Sequence, residues 1–69
     1  MVIILLGEGF EETEALTPAN LLRRAAIEVS LVGLTGRQVT GGHGIIVQAD
    51  QTLEELDQNL DLNQVEMLV

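Results

Sequence analysis

A run of five apolar residues, Val2-Ile3-Ile4-Leu5-Leu6, opens directly into Gly7-Glu8-Gly9-Phe10-Glu11-Glu12-Thr13-Glu14. A buried strand that feeds a tight glycine turn and then a helix is where open α/β sheets hold functional residues, because ligands gather beyond the carboxyl ends of the strands. This turn carries four carboxylates and neither a lysine nor a thiol. Such a site can tune a proton or polarise a partner, but it lacks a strong nucleophile of its own. Gly7-Glu8-Gly9 looks like the start of a dinucleotide fingerprint, yet its third glycine would fall where Glu12 stands. A carboxylate beside a pyrophosphate repels it, so neither a nucleotide nor any other cofactor is expected.

Carboxylates near a helix start are ordinarily solvated partners of the helix dipole, and Glu8, Glu11 and Glu12 read that way. Glu14 lies one turn further in, with Leu6 behind it and Ala15 and Leu16 beside it. Partial burial would raise its pKa and keep it protonated, able to donate a hydrogen bond to a thiolate or sulfur oxyacid. On the residues alone, the solvated and the embedded readings of Glu14 both stand. The lone His43 sits in Gly42-His43-Gly44 with no second histidine or any cysteine to share a metal. It reads as a surface turn residue, and no metal is expected. Arg23 and Arg24 read as helix-end charges, with an anion or dimer contact as the alternative.

These residues need elements to hold them. Val2–Leu6, without alternation, suits a strand covered on both faces of a parallel sheet. From about Glu11 to Ala25, Leu16, Ala19, Leu22 and Ala25 recur at helical spacing. Pro18 either starts that helix after an N-cap Thr17 or sits inside one that began earlier. Ile27 to Val32 alternates as a half-covered strand, completing a βαβ unit. A glycine-rich region around Arg37–Thr40 follows, then a short strand at Ile45–Val47. Thr52 and Glu55 fit a capping box for an acidic helical turn over Thr52–Leu56. A last apolar segment, Val65–Val69, reads as another strand that stops without a cap or closing helix, so the chain is expected to be incomplete.

Sixty-nine residues allow one small domain, and a core of that size seldom supplies more than roughly 3–5 kcal/mol. There is no cysteine to staple it, and Phe10 is the sole aromatic residue. Hydrophobic residues nevertheless make up 46% of the chain, too many for a disordered segment. The sequence therefore expects either self-association or a longer polypeptide. A formal net charge of −8, with three arginines and no lysine, argues against nucleic acid and against an anionic membrane surface. Val2–Leu6 is too short for a membrane span and lacks a basic leader. A soluble, cytoplasmic protein is expected.

The series Glu8-Gly9-Phe10-Glu11-Glu12-Thr13-Glu14-Ala15, Thr17-Pro18, Leu22-Arg23-Arg24-Ala25 and Thr40-Gly41-Gly42-His43-Gly44, with Ala49-Asp50, resembles the opening of the ThiJ/PfpI superfamily. The branch it is most similar to holds the Parkinsonism-associated protein deglycase and the bacterial YajL-type proteins. The resemblance spans essentially the whole chain. It implies a flavodoxin-like α/β fold, a parallel sheet with flanking helices, of which residues 1–69 would be the N-terminal portion of a single domain. It also implies a homodimer, or completion by the remainder of the same domain.

Family members are described as glyoxalases or protein deglycases acting on methylglyoxal-type adducts, and as redox-responsive chaperones. Small carbonyl compounds or glycated protein are thus the implied substrates. The family site pairs a nucleophilic cysteine with a protonated glutamate of the first helix, and Glu14 occupies that glutamate's place. Arg24 matches a family arginine near the dimer and active-site cleft; His43 falls where some relatives carry an arginine facing the same pocket. Two departures stand out. Ala26 replaces the glycine that usually closes the helix, and the cysteine, its histidine partner and a Pro-Gly-Gly turn are absent. The resemblance therefore implies a chain that is inactive alone; a non-enzymatic chaperone or dimerisation module is the alternative.

Overall fold

The computed structural model of the chain describes residues 1–59 and 67–68. Elements run β1 (Val2–Leu6), α1 (Glu12–Arg24), β2 (Val29–Gly33), β3 (Gln38–Thr40), β4 (Ile46–Gln48), β5 (Gln51–Thr52), α2 (Leu53–Asn59) and β6 (Met67–Leu68). The main sheet has the order β5-β2-β1-β6, with each neighbouring pair parallel. This is the α/β parallel sheet that the apolar runs predict. Of the strand expected at Val65–Val69, Met67 and Leu68 pair with Val2 and Ile3; Val65, Glu66 and Val69 lie outside the described residues. No helix among the described residues is long and apolar enough to cross a membrane.

The lack of alternation in β1 is explained by cover on both faces. Val2, Ile4 and Leu6 pack with Val29, Leu31, Ala19 and Val39, and Leu16 and Leu22 of α1 lie against them. Ile3 faces the other way, onto Val32 and Leu56. The expected half-covered strand starting at Ile27 needs correction: β2 starts at Val29 and is buried throughout. Ile27 is 39% exposed because it lies in the stop that follows α1 rather than in the sheet. Its N–H donates to the Leu22 carbonyl and that of Ala26 to the Arg23 carbonyl, the paired bonds of a Schellman stop.

Helix α1 starts before Pro18, which therefore lies inside it. Proline removes the N–H that would reach the Glu14 carbonyl one turn back. The helix persists because Ala19 is buried against the sheet beside Leu16 and Leu22. Its far end is tied down by Arg23, whose Nη2 donates to Asp50 Oδ2 at 2.6 Å and to the Val29 carbonyl at 3.0 Å. Asp50 Oδ2 also accepts the Leu31 N–H at 2.7 Å, so helix end, β2 and the approach to β5 share one anchor. The capping box of α2 is present: Glu55 N–H donates to Thr52 Oγ1, and Thr52 N–H to Glu55 Oε1.

The glycine-rich region forms a β3–β4 hairpin in which Val39 lies opposite Val47. Sequence periodicity foresees a strand near β4 but not its partner, since three residues are too few to show alternation. The hairpin drops a fully buried Val39 onto the core. It also brings the 41–45 turn against the start of α1.

Ala26 takes φ 61°, the left-handed region that the missing glycine would have filled. The strain of an alanine there is roughly 1–2 kcal/mol, partly offset by the stiffer unfolded chain. Ala26→Gly should therefore stabilise the chain by a net of roughly 0.5–1 kcal/mol. A higher urea midpoint at unchanged slope would show it; an unchanged or lower midpoint would contradict the helix-stop geometry.

Candidate functional site

The turn between β1 and α1 lies against residues 35–45. Gly9 N–H donates to the Thr40 carbonyl and Gly42 N–H to the Phe10 carbonyl, each at 2.8 Å. Glu8 adds a side-chain tie, accepting from Thr35 Oγ1 and from the Thr40 N–H at 3.2 Å each. Glu11 caps the helix, its Oε1 accepting the Thr13 N–H at 3.0 Å.

The central group is Glu12. It is 5% exposed, and a buried carboxylate persists as an ion only when its lone pairs are met. The 41–45 turn meets them. Oε2 accepts the His43 N–H at 2.8 Å and the Ile45 N–H at 3.4 Å, while Oε1 faces His43 Nδ1 at 2.9 Å. The turn is closed by Gly41 N–H on the Ile45 carbonyl and Gly44 N–H on the Gly41 carbonyl. Gly41 must lack a side chain here, since a Cβ would come within 2.4 Å of the Glu12 carboxyl. The hydrogen bond from His43, reinforced by backbone donors, outweighs burial and holds Glu12 down at about 2, against an ordinary 4.5. In turn the bond to Glu12, then the charges of Glu12 and Glu11, raise His43 above its ordinary value.

The residues singled out from sequence fall into different environments. His43 is a turn residue with a 72% exposed side chain, as its glycine setting predicts, but it is paired rather than idle. Glu12 is not the solvated dipole partner expected of it. Glu14 is exposed, so the partial burial expected for it is not met in this chain. Helix geometry gives the reason: residues two apart are turned by about 200°, so when Glu12 faces the hairpin Glu14 faces away. Arg24 is exposed and makes no ion pair or side-chain hydrogen bond among the described residues; of the two adjacent arginines, Arg23 anchors the helix end. The structure brings His43 to Glu12 and Glu11, and does not bring Arg24 or Glu14 to them.

The pairing was missed because its members stand 31 residues apart. A signal did exist, since a glycine-rich turn presents free amides that suit a carboxylate. Among the described residues, Glu11, Glu12 and His43 are also the set whose ligand atoms could hold a metal ion, all within 4.8 Å of one another.

Comparison with known proteins gives a consistent picture. A profile described as the DJ-1/PfpI family matches residues 1–66. A curated deglycase of Thermococcus kodakarensis is 32% identical over 56 residues, covering 81% of this chain and 34% of that protein. The Parkinson disease protein 7 homolog of Danio rerio is 33% identical, covering 77% and 29% respectively. Among solved structures, a mutant of a DJ-1 superfamily protein from Salmonella typhimurium superposes with TM-score 0.80 at 42% identity, over 86% of this chain and 32% of that one. The chain thus spans about a third of the length of these relatives. The flavodoxin-like resemblance read from the acidic turn is borne out as fold and family.

The two shifts fix a pH profile. Glu12, lowered in the fold, contributes stability that is complete above 4.5 and is lost as pH falls towards about 2. His43, raised in the fold, contributes stability complete below 6.5 and lost as pH rises through its folded value. Thermal unfolding should therefore show greatest stability between about pH 4.5 and 6.5. His43→Gln should flatten the alkaline limb and leave part of the acid limb, which the backbone donors to Glu12 and the lowered Glu55 sustain. Gly41→Ala should displace the Glu12 carboxyl and return the His43 titration, followed by NMR, towards its ordinary value. An unmoved His43 titration would refute the clasp.

Proposed function

The chain belongs to the DJ-1/PfpI family, and on that premise we propose that it is the N-terminal portion of a cysteine-dependent glyoxalase or protein deglycase acting on methylglyoxal-type carbonyl compounds. The observation that carries the reading is the family match over residues 1–66, with a relative named deglycase. It agrees with the strand–acidic turn–helix arrangement, which sets Glu14 in the first turn of α1 beyond the carboxyl end of β1. The chain contains no cysteine, so the nucleophile belongs to polypeptide outside it.

In the proposed reaction a thiolate adds to the aldehyde carbon, forming a C–S bond while the carbonyl oxygen takes up a proton. Proton transfer between the two carbons, with Glu14 as the acid–base group, gives a thioester. Water then cleaves the C–S bond, releasing the 2-hydroxy acid and the thiol. In a protein-bound hemiaminal the thiolate would displace the amine from the former aldehyde carbon, the C–N bond breaking and the amine leaving with a proton, and the resulting hemithioacetal would follow the same course. Glu14 is exposed here, which leaves it available to be covered by the part of the domain that brings the sulfur.

A second reading, a dimerising or client-holding module in a cytoplasmic setting, draws on exposed apolar residues: Leu21 at 58%, Ile45 at 52% and Ile46 at 65%. Suppressed aggregation of a client protein without carbonyl turnover would favour it.

The test combines the chain with a cysteine-bearing C-terminal portion of the Salmonella relative and follows lactate formation from methylglyoxal. The chain alone should give none and the combination should turn over. Glu14→Gln should lower kcat/KM by about 100-fold or more, the scale of a lost acid–base group. Turnover by the chain alone, or an undiminished rate in Glu14→Gln, would overturn the reading.

A further inference from the structure

The Glu12 clasp leaves a set of lone pairs that the proposed reaction does not use. Each carboxylate is held through one oxygen: Glu11 Oε1 by the Thr13 N–H, Glu12 Oε2 by the His43 and Ile45 N–H groups. The remaining oxygens face His43 Nδ1, Glu12 Oε1 at 2.9 Å and Glu11 Oε2 at 3.8 Å. We propose that His43 Nδ1, Glu12 Oε1 and Glu11 Oε2 form a binding site for one divalent first-row cation of the zinc class.

Zinc takes imidazole nitrogen and carboxylate oxygen at about 2.0–2.1 Å, so tetrahedral ligand atoms stand about 3.3 Å apart. The two separations above lie on either side of that value and all three ligand atoms lie within 4.8 Å of one another, so closing on an ion takes side-chain movements of about an ångström, within the reach of the exposed His43 and Glu11 side chains. One imidazole with two carboxylates suits zinc or its first-row neighbours better than calcium or magnesium, which prefer oxygen alone. The backbone N–H bonds to the second oxygens act as the outer support that orients metal-ligating carboxylates. His43 supplies a donor from a different segment of the fold, so the set is a mixed nitrogen–oxygen triad rather than a patch of acids. The positive end of α1 opposes a cation, but two carboxylate charges at the site and a net charge of −8 outweigh it. His43 is exposed on the outer side, which gives the ion an entry path and leaves a fourth position for water. When the ion binds it takes the place of the proton between Nδ1 and Oε1, and the clasp is kept.

The test is a zinc titration of the full chain, labelled with nitrogen-15 and buffered at about pH 7.5 so that the His43 proton the ion displaces is taken up. The Nδ1 resonance of His43 should move and saturate at one equivalent, with Nε2 moving less. Glu11→Gln and His43→Gln should each weaken zinc binding by on the order of tenfold or more, measured by competition with a chromophoric chelator. Glu54→Gln, on α2 and away from the site, should leave it unchanged. A stationary Nδ1 resonance at one equivalent of zinc, or equal affinity in His43→Gln, would overturn the proposal.

Discussion

A single ionised carboxylate inside the fold governs how its parts meet. Glu12 is the first residue of α1, and its side chain points into the hairpin rather than into water. Removing a charge from solvent is strongly unfavourable unless partners replace the lost hydration. The partners all come from residues 43–45, so the helix start cannot adopt this position unless the hairpin turn closes over it. The hairpin in turn has only a three-residue ladder of its own. Short isolated hairpins are marginal in water, and this one is stabilised by the acid it encloses. Val39 then arrives over the core as a consequence.

The same dependence organises the carboxyl end of the sheet. Turn 7–11 is held by backbone bonds to Thr40 and Gly42, and by Glu8 through Thr35 and Thr40. At the other end of α1, Arg23 and Asp50 tie helix, β2 and β5 together. The exposed Arg23–Asp50 ion pair would contribute little alone. Its weight comes from the backbone groups the two side chains also satisfy, the Val29 carbonyl and the Leu31 N–H. The parallel strands are thus braced at both ends by polar contacts while apolar side chains fill the space between. That matters in a chain with almost no aromatic residues to enlarge its core.

Much of this was legible in the residues. The unalternating Val2–Leu6 run gave a strand covered on both faces, and the three-and-four spacing gave α1 to within a residue at each end. Thr52 and Glu55 announced the α2 cap because a capping box is local. Ala26 stands where the family pattern closes the helix with glycine, and the structure finds it in the left-handed region. What was hidden is long-range. Ile27 alternates with Val29 and Leu31 as a strand would, yet it is spent in stopping a helix, and periodicity cannot separate those uses. Glu12 and Glu14 are chemically identical, and their environments are decided by a turn some thirty residues away.

That division follows from helix geometry and has a chemical consequence. Two positions along an α-helix rotate the side chain by about 200°, so two glutamates so placed cannot share an environment in a packed fold. One is turned to the His43 ring and, behind it, the amides of the 41–45 turn, whose hydrogen bonds favour the ion and hold it at about 2. The other is turned away from every donor that fixes the first. Enzymes that need both an anion and a proton donor from like side chains obtain them by separating their surroundings. Here the ionised member is supplied by the chain's own hairpin. Glu14 stays exposed on another side of α1, out of reach of the turn that encloses Glu12.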